Sequence, residues 1–197
     1  MKEAFIVAAA RTPVGKAPNG KIRTVRPDDL AALAIKGALA RVPRISPDQV
    51  EDFVLGCAMP EGAQGMNIAR IACQRAGLPD TVPGVTVNRF CASGLEAIAL
   101  AAQRVLSGMA DAVMAGGTES MSQVPMGGFR MSPNPCLVNE MPDAYLAMGL
   151  TAENVASKFG VSREDADQFS YESHQKAIAA LDAGPLCRTA RRHAADE

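Results

Sequence analysis

The sequence contains no tryptophan, only two histidines, His174 and His193, and no Cys-x-x-Cys pair. So little imidazole and no paired thiols argue against a zinc site, which needs several such ligands at close spacing. The five cysteines, Cys57, Cys73, Cys91, Cys136 and Cys187, are an odd and scattered set rather than a disulfide framework. Reduced thiols in a cytoplasmic compartment are the expectation. An excess of one charge is also missing: 20 basic residues stand against 21 acidic ones, a formal net charge of −1. No global field therefore draws the chain to nucleic acid or to an anionic membrane. Long hydrophobic runs are lacking too. Ala4 to Ala10 falls far short of the roughly 20 residues that span a bilayer, and its ending in Arg11-Thr12-Pro13 does not suit a secretory signal.

What is present is a globular composition, 48% apolar and 21% charged over 197 residues, enough for one sizeable core or two modest ones. The run Phe5 to Ala8 reads as a first core strand. Asp28 then opens a helix with Leu30, Leu33, Ala34, Gly37 and Ala38 at helical spacing. Ser46 with Gln49 resembles a capping box, and Phe53 to Cys57 reads as a second strand. A helix over Asn67 to Ala76 is stopped by Gly77 and Pro79. Val85-Thr86-Val87 is β-branched and strand-like, whereas Ala92 to Leu106 reads as a long buried helix with Leu95, Ile98, Ala99, Ala102 and Leu106 on one face. Ala112 to Ala115 returns as a strand. Such alternation indicates β-α-β units around a mainly parallel sheet. Residues 1–119 form this α/β core. Residues 120–184 read as an inserted loop region followed by two helices, Thr151 to Phe159 and Arg163 to Ala183, the second capped by Ser162. Residues 185–197 form an atypical tail.

The segment Asn88-Arg89-Phe90-Cys91-Ala92-Ser93-Gly94 is the most informative in the sequence, because it sets a cysteine at a strand-to-helix junction. First-turn amides without intrahelical acceptors, together with the helix dipole, favour thiolate over thiol. The small residues that follow leave room for a bulky substrate, and the geometry parallels the nucleophile elbow of serine hydrolases. Read from spacing alone, Cys91 is a nucleophile or a small buried hydrophobe. Cys57 and Cys73 sit in apolar patterns, Cys136 in a loop and Cys187 in the tail. Glu119 and Asp143 read as caps or solvated charges rather than acids or bases.

This segment resembles the active-site segment of thiolases. The resemblance extends to Ala9-Ala10-Arg11-Thr12-Pro13-Val14-Gly15, Gly65-Met66-Asn67-Ile68-Ala69-Arg70, Ala115-Gly116-Gly117-Thr118-Glu119-Ser120-Met121-Ser122 and Met148-Gly149-Leu150-Thr151-Ala152-Glu153-Asn154-Val155-Ala156, in the family's order. It implies an α/β fold of mixed sheets layered with helices, in which this chain is the first of two similar domains and Cys91 begins a central helix. It also implies thiolytic transfer of an acyl group from 3-ketoacyl-CoA to coenzyme A. In that reaction Cys91 forms the acyl-thioester, its backbone N–H helps bind the oxyanion, and Met148 lines the acyl pocket. Coenzyme A is then a substrate, no cofactor is needed, and the complete protein is a homodimer or homotetramer with Val85 to Val87 near its axis. Ala147 stands where the biosynthetic acetoacetyl-CoA branch carries histidine, so the resemblance leans to the degradative, β-oxidation branch.

The chain departs from the family in lacking a Gly-His-Pro segment and a Cys-x-Gly segment. Beyond Gly184 it reads as if the frame had shifted. A truncated, inactive form with uncovered apolar helix faces is therefore expected. A non-catalytic interaction module, a biosynthetic thiolase and a ketosynthase relative are the alternatives.

Overall fold

The computed structural model describes residues 2–184. The chain divides into two compact units, Met1–Arg130 and the residues from Met131 onward.

The first unit is built around strand β1, Asp52–Gly56, whose five residues are all buried. The apolar run within it suits a strand covered on both faces. Strands β2, Gly84–Val87, and β3, Val113–Gly117, flank it in the order β2-β1-β3. Both pairings are parallel: Phe53 faces Gly84 on one side and Met114 on the other. Parallel neighbours need long crossovers, which helices α2, Ile68–Ala76, and α3, Ser93–Ser107, supply. An earlier helix, α1, spans Pro27–Leu39, with Pro27 in its first turn, where the missing N–H goes unneeded.

The pleat of β1 sorts the layers. Phe53, Leu55 and Cys57 join Ala31 and Ile35 of α1 and Ile68, Ala69, Ala72 and Cys73 of α2 in one buried cluster. The alternate residues turn to the opposite face, where Gly56 lies against Ser93 and the Asp52 carboxylate pairs with Arg104, both of α3. The expected α/β architecture, a parallel sheet layered with helices, is thus present.

Three local expectations need correcting. Residues 4–10 form no strand: Phe5 and Ile6 are 75% and 80% exposed, and no described residue offers them a ladder. An apolar run becomes a strand only when an edge pairs with it; here Lys2 ties the segment to Asp111 by an ion pair of 2.5 Å. Helix α3 is not buried through its large residues. Ser93, Ala97 and Ala101 face the sheet, while Leu95, Ile98 and Leu106 are exposed, because small side chains let a helix sit close to a strand. In α1, likewise, Ala31, Ala32 and Ile35 are buried and Leu33 is exposed. The uncovered apolar helix face expected from the sequence is the Leu95, Ile98 and Leu106 row.

The second unit contains α4, Pro135–Glu140, then a 3₁₀ turn at Pro142–Tyr145, and α5, Met148–Phe159, and α6, Arg163–Asp182. Cys136 thus lies in a short helix rather than a loop, its amide capped by the Asn134 side chain at 2.9 Å. Ser162 caps α6 as expected, accepting from Asp165 N at 3.0 Å. Cys187, His193 and the tail lie outside the described residues. Among the described residues no helix is long and apolar enough to cross a membrane.

Candidate active site

Val87 ends β2 and Ser93 begins α3, so residues 88–92 make the whole connection. Cys91 occupies a 3₁₀ turn, Phe90–Ala92, that runs directly into the helix, and it is exposed. Phe90 adopts φ +47°, a left-handed conformation that costs a non-glycine residue about 1–3 kcal/mol and persists only where neighbours over-determine it.

Those neighbours are the turn's own polar groups. Ser93 Oγ accepts from Arg89 N at 2.8 Å and donates to the Phe90 carbonyl at 2.6 Å. Ala92 N donates to the Arg89 carbonyl at 3.1 Å. Asn88 Oδ1 accepts from Phe90 N at 2.8 Å, and the Asn88 amide nitrogen donates to the Ala58 carbonyl at 2.9 Å. The Arg89 guanidinium reaches Glu96 on the first turns of α3 at 3.0 Å. Among the described residues, no acceptor engages the Cys91 amide.

The helix begins this close to the sheet because position 56 is glycine. A Cβ there would collide with the carbonyl of Ser93 and lie 2.7 Å from its Cβ. Glu119, just past β3, holds the opposite wall of the same strand ends. Its carboxylate accepts from Ala58 N at 2.6 Å, from Met59 N at 3.3 Å and from the Gln64 side-chain amide. Glu119 is therefore neither a helix cap nor a free solvated charge, but a clamp on the loop after β1.

The other thiols differ sharply from Cys91. Burial, and then the Glu119 charge, push the Cys57 thiol up to about 12. Burial likewise pushes Cys73 up to about 11, against an opposing effect of Arg70. Both are core thiols, as their apolar surroundings in the sequence implied. In the second unit, Met148 opens α5 and is 69% exposed, and Asp143 lies in the exposed 3₁₀ turn. Among the described residues no cluster of His, Cys, Asp and Glu is arranged to hold a metal ion.

The sequence singled out Cys91, which the structure places exposed at the β2–α3 junction, but not Asn88, Ser93 and Gly56 as the residues that hold its turn. Asn88 had a readable signal, since asparagine commonly accepts from a backbone amide two residues on. Gly56 had none, because its requirement is set by a residue 37 positions away, as the numbering of Gly56 and Ser93 shows.

Comparison with known proteins decides the family. The family described as "Thiolase, N-terminal domain" matches residues 4–188. The chain belongs to the thiolase family. A 3-ketoacyl-CoA thiolase of Bacillus subtilis (strain 168) is 53% identical over 184 residues, 93% of this chain and 47% of the relative. The 3-ketoacyl-CoA thiolases of Saccharophagus degradans and of Shewanella sp. (strain MR-7) are 43% and 44% identical, each over 95% of this chain and 48% of their own length. This thiolase chain thus spans about half the length of the curated relatives it matches.

Proposed function

We propose that the protein acts as a thiolase acyltransferase, with Cys91 accepting the acyl group of a 3-ketoacyl-CoA and coenzyme A removing it, in the thiolytic direction of fatty-acid β-oxidation. The observation that carries this reading is the placement of Cys91, exposed in a strained turn at the start of α3 within a thiolase-family domain. The printed name shared by the relatives supports the substrate class.

In the first half-reaction the Cys91 sulfur adds to the C3 keto carbon. The C2–C3 bond then breaks, its electron pair leaves with the acetyl-CoA fragment, and that fragment takes up a proton. The acyl group stays on sulfur as a thioester. In the second half the coenzyme A thiolate attacks this thioester and Cys91 leaves. Covalent transfer splits one difficult step into two easier ones. The uncommitted Cys91 amide is a fitting donor to the tetrahedral oxyanion, and Met148 is the proposed acyl-pocket side chain.

The protons need separate groups. The chain contains no Gly-His-Pro and no Cys-x-Gly segment, and each missing acid or base is worth about a hundredfold to ten-thousandfold. The reading is therefore that these residues accept an acyl group but do not turn over unaided. Coenzyme A enters as a substrate, with no cofactor. The free thiols of Cys57, Cys73, Cys91 and Cys136 support a cytoplasmic setting, and the exposed Leu95, Ile98 and Leu106 row supports association into a homodimer or homotetramer.

The test is to incubate the folded chain with acetoacetyl-CoA, quench in acid, and locate added acetyl groups by peptide mass. Acetylation of Cys91, lost in Cys91→Ala, is expected. Folded protein whose Cys91 gains no acetyl group refutes the reading and leaves a non-catalytic interaction role.

A further inference from the structure

Two loops after β1 and β3 are wired to the turn that carries Cys91, and the connection can be followed bond by bond. Glu119 takes the amides of Ala58 and Met59 on its carboxylate. The buried Gln64 fixes that carboxylate from behind, donating to it and to the Met59 carbonyl at 2.8 Å, while its own oxygen accepts from Ser120 N at 2.9 Å. The peptide unit of Ala58 is thereby held, and its carbonyl receives the Asn88 side-chain amide. The other end of Asn88 takes the amide of Phe90, the residue at φ +47° immediately before Cys91. Asn88 is thus the only described side chain that joins the Cys91 turn to the loop after β1.

We infer that Asn88, held through Ala58 by Glu119, is a positioning residue for Cys91. This rests on the reading of Cys91 as the acyl acceptor. A left-handed residue such as Phe90 needs its neighbours to define it. The groups within residues 89–93 close the turn on itself but do not aim it. Asn88 does, because its two ends contact different strand connections. Without it the turn relaxes, Phe90 leaves its left-handed conformation, and Cys91 is no longer fixed at the entry to α3. Helix-terminus effects fall off within one turn, so the reactivity of a thiol at that junction is sensitive to a small displacement of the turn.

The experiment uses the full chain and reads two thiols in one sample. Wild type, Asn88→Ala and Glu119→Ala are treated with iodoacetamide across a range of pH, and Cys91 and Cys136 are quantified separately by peptide mass. Cys136, exposed in the second unit, is the internal reference. Circular dichroism checks the fold of each variant. The expected result is a fall of about fivefold to tenfold in the Cys91 to Cys136 rate ratio near neutral pH in Asn88→Ala. Glu119→Ala, which reaches the turn indirectly, through the loop after β1 that carries Ala58, moves the ratio the same way by less. A merely structural role would lower thermal stability and leave the ratio and its profile as in wild type; that result in folded Asn88→Ala overturns the inference. Should Asn88→Ala not fold, Glu119→Ala decides, and an unchanged ratio there overturns it equally. Acetyl transfer from acetoacetyl-CoA to wild-type Cys91 is measured in parallel. Its failure counts against the acyl-acceptor reading, whereas an unchanged alkylation ratio counts against Asn88.

Discussion

Gly56→Ala is the sharpest test of how the sheet delivers Cys91. The added methyl would meet the carbonyl carbon, carbonyl oxygen and Cβ of Ser93, all closer than real Cβ atoms approach. Two of those atoms are backbone, so no rotamer change relieves the clash; either β1 or the first turn of α3 must move. Overpacking of this kind costs typically 1–3 kcal/mol, which for a unit of this size lowers the thermal midpoint by roughly 5–10 °C. Gly94→Ala, in the same turn of α3, is the control. A Cβ there meets nothing within 4 Å, and replacing glycine in a helix gains about 0.5–1 kcal/mol. Thermal melts followed by circular dichroism should therefore move in opposite directions for two chemically identical changes. Because Ser93 Oγ braces the turn around Cys91, Gly56→Ala should also slow Cys91 alkylation relative to Cys136. A Gly56→Ala melt coincident with wild type would show that α3 does not begin against β1, and the account of how Cys91 is presented would fail with it.

Other outcomes follow from the charges and thiols of the first unit. The folded chain holds Cys57 and Cys73 at about 12 and about 11 against an ordinary 9.0. Their contribution to stability is thus full below pH 9 and lost as pH rises through the folded values, by about 1.4 kcal/mol per pH unit for each thiol; urea titrations of Cys57→Ala against wild type should show a shallower alkaline limb. Burial pushes the Asp28 carboxyl up, but the Arg26 hydrogen bonds and charge outweigh it, and the net shift is downward from 3.8. That stabilisation is present above the ordinary carboxylate value and lost as pH falls through the folded one, so Arg26→Met should weaken the chain slightly at neutral pH, because the guanidinium is exposed, and flatten its acid limb in acid titrations followed by circular dichroism. Arg104→Met strands the Asp52 carboxylate, whose side chain is only 8% exposed, and should cost about 2–3 kcal/mol in a urea titration. Adding Asp52→Asn to it should recover part of that loss.

Elements whose signals are local were legible in the sequence. Asn67 before α2, Gly77 after it and Ser162 before α6 each act on a backbone group within a few residues, and a reader of spacing can place them. The register of burial was harder. Leu95, Ile98 and Leu106 share a helical face that spacing assigns to the core side of α3, yet the sheet receives Ser93, Ala97 and Ala101 instead. Periodicity identifies a face but not its partner, and a helix that must start within contact of a glycine on the strand turns its small residues inward. Phe5 to Ala8 failed for a related reason: strand propensity is a statement about fitting a ladder, and the ladder is a property of other residues.

The same division explains why Cys91 was legible and its surroundings were not. A cysteine at a strand-to-helix junction stands out as a candidate by its type and place, whereas Asn88, Gly56 and Glu119 are ordinary loop and strand-end residues in isolation. Their roles arise because all three strands run parallel and so bring their carboxyl ends to one edge. Gly56-Cys57-Ala58 leaves β1 there, Asn88 leaves β2, and Thr118-Glu119 leaves β3. Open parallel sheets gather their chemistry at that edge as a rule. In this chain the rule has a mechanical content, since the three connections are cross-tied, Glu119 to Ala58 and Ala58 to Asn88, before the chain enters α3. The turn that strains Phe90 is therefore supported by every strand of the sheet. A perturbation on β1 or after β3 should reach Cys91 more strongly than one at an equal sequence distance along α3.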